Sequence, residues 1–259
     1  SLLIGPAAFL RGSNRAPLRL GCDRPAVISA VRTQAETPAC LPGRCAISSK
    51  IPAMVEYADT WLPEHEAIRE ARDRARDYGV ESLSPSATSL LTFLASTAAA
   101  QAVVEIGTGT GVSGAALLAG MTPGVTLTTI DVEAEYQRYA REAFADLGLE
   151  PSRARFIAGR ALDVLPRMSD GAYDMVVVDA DRGEYPAILA QARRLLRIGG
   201  LVVFVGVGTD AMIADPARRD AEASAVKDTA EALRSEDTWV PALLIEGSGL
   251  LVGCLTRRD

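Results

Sequence analysis

The chain has 259 residues, 48% of them hydrophobic and 23% charged, which is enough apolar content for one large globular domain with a substantial core. Its 27 Lys and Arg against 33 Asp and Glu give a net charge of −6 and an isoelectric point near 5.0, so no overall basic field exists to attract nucleic acid. No apolar run approaches the ~18 to 20 residues that cross a bilayer, and Cys22, Cys40, Cys45 and Cys254 with the single His65 form neither a zinc set nor a disulfide framework. A cytoplasmic protein with no membrane or nucleic-acid partner is expected.

Composition is uneven along the chain. Residues 1–53 carry seven Lys and Arg against two Asp and Glu (+5), leaving −11 for the remainder, and they hold six prolines and one aromatic, Phe9, without sustained periodicity. Leu2 to Leu10 is mildly apolar, but its arginines follow it, the reverse of a secretory signal. The expectation is a disordered or non-native extension over 1–53 and one domain over 54–259, with Met54 as a plausible start.

Residues 63–78 predict an amphipathic helix with Ile68, Ala71, Ala75 and Tyr78 on one stripe and Glu70 paired to Arg74 on another; Gly79 closes it. Ser84-Pro85 then gives a cap and a first-turn proline for a second helix. From Ala102 the pattern alternates: strand 102–106, glycine loop, helix 113–120, strand 126–131, helix 133–147, strand 155–158, helix 162–168 and strand 174–179. The continuous apolar run Met175 to Val178 is that of a strand covered on both faces. A helix over 185–196 meets a Gly199-Gly200 stop before strand 201–205, and a helix over 216–233 leads into strands 240–245 and 250–255, read as a closing hairpin.

The chemistry-bearing segment is Val104-Glu105-Ile106-Gly107-Thr108-Gly109-Thr110-Gly111-Val112-Ser113-Gly114 at the end of the first strand. Glycines there let the backbone approach a ligand at a helix N-terminus. Gly109, Gly111 and Gly114 satisfy the dinucleotide pattern GxGxxG, and Asp131 at the end of the second strand suits either a nicotinamide-dinucleotide ribose or an adenosyl ribose. Otherwise the loop is a tight turn and Asp131 a helix cap. Glu105 ahead of the glycines, helices before the first strand and the closing hairpin favour S-adenosylmethionine.

With VEIGTGTGVSG (104–114), TTIDVEAEY (128–136), YDMVVVDADRGEY (173–185) and LLRIGGLVVF (195–204), the sequence resembles the class I S-adenosylmethionine-dependent methyltransferases, most closely the catechol and caffeoyl-CoA type of small-molecule O-methyltransferase and a mycobacterial branch of it. The resemblance covers about Tyr57 to Leu255. It implies an α/β fold: a three-layer, Rossmann-like, seven-stranded, mostly parallel sheet with a C-terminal antiparallel hairpin. It also implies cofactor contacts from Leu83, Glu105, Gly107, Thr108, Gly109, Ser113, Asp131, Val132, Ala161 and Asp179, with the Gly159-Arg160-Ala161 turn by the adenine, and a homodimer.

The catechol-type enzymes bind a divalent metal through the Asp ending strand four and an Asp-Asn pair after strand five. Asp179 matches the first ligand, but Val205-Gly206 stands in place of the pair, so a metal-free site is expected, the alternative being a metal gathered by Asp179, Asp181 and a displaced Asp210. Arg182, where the family often has Lys, is too basic to remove a proton and is expected to orient an anionic substrate. Asp179 is the candidate base, with Tyr185 and Asp181 secondary and His65 solvated. The expected activity is methyl transfer to a small-molecule hydroxyl. The alternatives are a non-catalytic adenosyl-binding protein and, less favoured, a nicotinamide-dependent oxidoreductase.

Overall fold

The computed structural model describes residues 51–258. The expected extension lies outside the described residues except for its last three, which begin helix α1 (Ile51–Trp61), so the compositional break at Met54 falls inside a helix. Helix α2 (Glu66–Asp77) starts three residues later than the sequence predicts, because His65 acts as its N-cap: Nδ1 accepts from the Ala67 amide at 3.2 Å. Its buried face is Ala67, Ala71 and Ala75, side chains small enough for close packing, with Ile68 half-buried. Arg74 does not pair with Glu70. It reaches 3.3 Å to Glu142, on another helix. Helix α3 (Pro85–Thr97) opens as expected, the Ser84 hydroxyl accepting from the Ala87 amide.

Strand β1 (Val103–Ile106) lies between β2 (Leu127–Asp131) and β4 (Tyr173–Val178). With β3 (Ala154–Ala158), β5 (Leu196–Val205), β6 (Trp239–Leu244) and β7 (Leu250–Leu255) the sheet order is β3-β2-β1-β4-β5-β7-β6. The first five strands are mutually parallel, and β7 runs antiparallel to both β5 and β6. The crossovers are helices α4 (Val112–Gly120), α5 (Ala134–Asp146), α6 (Ala161–Val164) and α7 (Tyr185–Leu195); α8 (Ala221–Ser235) precedes the hairpin.

Side chains of β4 explain why its run is apolar throughout. Met175 and Val177 join a core with α3 and α4, while Val176 and Val178 join the opposite core with Ile188 of α7, Val226 of α8 and Trp239. Alternate residues of a strand point to opposite faces, so a strand covered on both sides is apolar at successive positions.

Two further boundaries differ from expectation. Gly199-Gly200 does not stop the chain before β5; the strand begins at Leu196 and carries the glycines through a register shift opposite Tyr173 and Met175, Gly199 taking φ +84°. Helix α8 begins at Ala221, not Pro216, because the Asp220 carboxylate accepts from the Ala223 amide at 3.0 Å and caps it there.

Candidate active site

At the carboxyl end of β1 the chain turns so sharply that Gly107 takes φ +94°, and a Cβ on it would lie 1.8 Å from the Asp179 carbonyl oxygen. The Asp179 amide in turn donates to the Ile106 carbonyl at 2.8 Å, locking the ends of β1 and β4 together. Gly111, φ +99°, lets the loop pass α5, where a Cβ would meet Ala140 at 2.9 Å. The Thr110 hydroxyl donates to the Ala71 carbonyl at 2.7 Å and ties the loop to α2.

Beneath the loop, Glu105 is fully buried; the Thr129 hydroxyl donates to its Oε2 at 2.6 Å, and the Thr108 and Thr129 hydroxyls are 2.6 Å apart. Oε1 has no hydrogen-bond partner among the described residues. Burial pushes this carboxyl up to about 7 despite the Thr129 and Ser113 hydroxyls. Asp131, ending β2, accepts from the Gly109 amide on Oδ2 and the Glu133 amide on Oδ1, both at 2.9 Å. Asp179 is half-buried and also pushed up to about 7, first by burial and then by Glu81 and Asp131, with Arg182 opposing.

Asp131 and Asp179 face one cleft of about 430 Å³, within the range of small-molecule sites. The glycine loop, Asp131 and Val132, the Gly159–Ala161 turn, Asp179 to Asp181 and Val80 to Leu83 all line it. Of the expected contact residues, Leu83, Gly107, Thr108, Gly109, Ser113, Asp131, Val132, Ala161 and Asp179 line the cleft. Glu105 does not; it lies under the loop and supports it through Thr129.

Two expectations change. Tyr185 is buried and donates to the Val205 carbonyl at 2.6 Å, which makes it a packing residue; burial raises its hydroxyl out of catalytic reach. Arg182 is not free for an anion: Nε donates to the Gly206 carbonyl at 3.1 Å, and Nη2 lies 3.2 Å from Glu81 and 3.3 Å from the Thr209 hydroxyl. Asp181 accepts from the Gly183 amide and lines the cleft, while Asp210 is exposed. Sequence reading missed Glu81, whose partner Arg182 lies 101 positions away, and Tyr136, which lines the cleft from α5 and passes for a core residue in the helical stripe.

Residues 59–254 match the family model described as O-methyltransferase. The chain belongs to the O-methyltransferase family. A protein of Mycobacterium avium (strain 104) whose assigned name is that of an O-methyltransferase is 41% identical over 215 residues, 83% of this chain and 96% of that protein. A counterpart from Mycobacterium sp. (strain JLS) is 43% identical over 204 residues, covering 79% and 93%. Among solved structures, a Corynebacterium glutamicum protein superposes with a TM-score of 0.74 at 31% identity, covering 80% of this chain and 98% of that one. The O-methyltransferase TomG of Streptomyces achromogenes, solved with SAM and involved in tomaymycin synthesis, gives 0.72 at 26% identity over 81% and 98%. For an O-methyltransferase the cleft lies where the parallel fold directs ligands, at the carboxyl ends of the strands beside the β1/β4 switch in strand order.

Proposed function

We propose that this O-methyltransferase binds S-adenosylmethionine in the cleft and transfers its methyl group to a hydroxyl of a small molecule without a metal ion. The residues present suit that cofactor. Gly107, Thr108 and Gly109 bring bare loop backbone to the cleft, a turn that Gly107 and Gly111 permit because a Cβ on either would collide with Asp179 or Ala140, and each Asp131 oxygen keeps a second lone pair beyond its amide for a ribose hydroxyl. Leu83, Val132 and Ala161 offer apolar surface to a base. TomG, at 26% identity, was solved with the same cofactor.

When bound, the cofactor supplies a methyl carbon on a positively charged sulfur, open to in-line displacement. The glycine loop and Ser113 orient its methionine end, Asp131 its ribose, and Gly159-Arg160-Ala161 its adenine. Asp179 accepts the acceptor's hydroxyl proton as the new oxygen–carbon bond forms. A carboxyl held near 7 is matched to that task at neutral pH.

The metal-free reading is supported by the donor set. Val205 and Gly206 offer no side-chain oxygen, and the Arg182 guanidinium already fills the space a side chain at 206 would take, 2.5 Å from its Cβ. Among the described residues no group of three or more His, Cys, Asp or Glu is arranged to hold a metal. A homodimer through α1 and α3 goes with the exposed Met54, Tyr57, Trp61 and Phe93, and light scattering reads it directly.

The observation that carries the reading is Asp131 at the end of β2, facing the same cleft as the glycine loop. Titration calorimetry with S-adenosylhomocysteine, in chelator and again with magnesium, tests it. Equal binding in both buffers is the expected result. Absence of binding in both sinks the cofactor assignment, and binding that requires magnesium sinks the metal-free one. Asp131→Ala is expected to weaken binding by ~1 to 3 kcal/mol.

A further inference from the structure

Val80, Glu81 and Ser82 line two cavities at once. One is the cleft, and the other, of about 390 Å³, is completed by Arg72, Arg76, Ser84, Pro85, Gly247 and Ser248. A single pass of chain thus partitions two spaces of similar size. It is anchored at its ends, where the Val80 amide donates to the Ala75 carbonyl at 2.8 Å and Leu83 is buried. Between those anchors the backbone of residues 81–83 makes no hydrogen bond among the described residues. Side chains hold it: Arg72 Nη1 lies 3.4 Å from the Ser82 hydroxyl, and Arg182 Nη2 donates to the Glu81 carboxylate at 3.2 Å.

Arg182 follows Asp179 to Asp181, which line the same cleft, so its pair with Glu81 joins two walls of that cleft across 101 positions of chain. The guanidinium is only 21% exposed and is fixed from a third side: Nε donates to the Gly206 carbonyl at 3.1 Å, and Nη2 lies 3.3 Å from the Thr209 hydroxyl. Thr209 leads into Asp210 and Ala211, at φ +49° and +56°, conformations that cost L-residues free energy and persist where neighbouring contacts hold them. A guanidinium offers five donors in one rigid plane, so one side chain serves all three partners; an ammonium lacks that fork. We infer that Arg182 is a positioning residue: it latches the Val80–Ser82 partition to the turn after β4 while holding the 206–211 loop, and parting of the Glu81–Arg182 pair joins the two cavities. An ion pair with an exposed partner contributes little, so the latch opens without unfolding the domain and lets ligands exchange. The latch stands apart from the cofactor reading, whereas its control of cofactor release rests on that reading.

Two measurements on the full chain without ligand test the latch. In a Leu83→Cys background, thiol labelling read at that residue by mass spectrometry reports opening of the partition, and amide hydrogen exchange over 207–213 reports the loop. Arg182→Ala is expected to speed both about tenfold, and Glu81→Gln to speed the labelling about fivefold with the loop unchanged. Arg182→Lys keeps a cation for Glu81 and loses the fork, so labelling should stay within about twofold of the parent while loop exchange rises. General destabilisation would move both readouts together in every variant, and that result, or labelling indifferent to Glu81→Gln, overturns the inference. Should Arg182→Ala fail to fold, Glu81→Gln and Arg182→Lys still decide. Release of labelled S-adenosylhomocysteine, chased with excess unlabelled ligand, is expected to quicken several-fold in Glu81→Gln and, for the wild type, in about 1 M salt. Release unchanged by both overturns the control of ligand exchange. Failure of S-adenosylhomocysteine to bind the wild type overturns the cofactor reading and leaves the latch to be decided by labelling and hydrogen exchange.

Discussion

At Gly107 the backbone occupies space that any side chain would need. A Cβ there would sit 1.8 Å from the Asp179 carbonyl oxygen, at a φ of +94° that L-residues rarely adopt, and the obstacle is backbone locked by the sheet. Gly107→Ala is therefore expected to cost at least ~3 kcal/mol in denaturant unfolding. Gly148→Ala, also at positive φ (+71°) but with nothing within 4 Å of the added carbon, is expected to cost only about 1 kcal/mol. Equal costs would mean that the strain at 107 is conformational and not a collision. At Asp179, a carboxyl near 7 acting as base predicts that transfer to an accepted phenol rises as pH passes through about 7. Asp179→Asn would then lose roughly 100-fold in rate or more. A pH-independent rate in the wild type would assign Asp179 to binding alone.

Among the elements, β4 carries opposite duties at its two ends. Its carboxyl end leads into Asp179 and the cleft. Near its amino end the buried Asp174 accepts from the Gln101 and Ala102 amides, at 2.5 and 2.8 Å, and from the Arg197 guanidinium. That carboxylate fastens the turn before β1 to the first part of β5. Its removal leaves two backbone amides and a guanidinium unanswered, so Asp174→Ala is expected to lower stability by ~2 to 4 kcal/mol. Cofactor affinity should stay within about twofold, because the strand separates the two sites. A selective loss of affinity with unchanged stability would contradict this division. Glu105 belongs to the same logic of support, since it holds the glycine loop through Thr129 and leaves the cleft surface to Thr108 and Ser113.

For the whole molecule, the buried Glu105 sets a pH dependence of folding. Its carboxyl is raised from 4.5 to about 7, so the folded state binds the proton more tightly than the unfolded chain does. Stability is thus greatest below about 4.5 as far as this group is concerned, and it falls as pH rises from there to about 7. Glu105→Gln removes the ionisation while keeping an acceptor for Thr129. Its Tm is expected to exceed that of the wild type at pH 8, by the equivalent of about 3 kcal/mol, and to match it more closely at pH 5. The reverse order would show that the ionised carboxylate is stabilised by the loop. Deleting residues 1–50, which stops short of α1, is expected to leave Tm and cofactor affinity unchanged; a large fall in either would show that the segment packs on the domain.

Strand order, helix order apart from α1, the parallel character of β1 to β5 and the closing hairpin were legible in the sequence, because apolar runs, glycine turns and caps are local signals that tertiary contacts here reinforce. The glycine loop and Asp131 were legible for the same reason: a tight turn at a strand end and an acid at the next strand end each occupy a few consecutive residues. Pairings across long separations were not. Arg74 finds Glu142, Arg182 finds Glu81, and Tyr185 donates to Val205, each choice made by proximity in space that spacing along the chain does not encode. So the residue types determined what chemistry the cleft can hold, while packing decided which charges are neutralised. It spends Arg182 on Glu81 and the Gly206 carbonyl, and leaves Asp179 without a hydrogen-bond donor among the described residues. Whether a carboxylate keeps a free charge depends on who stands within a few ångströms of it, which the folded chain alone supplies.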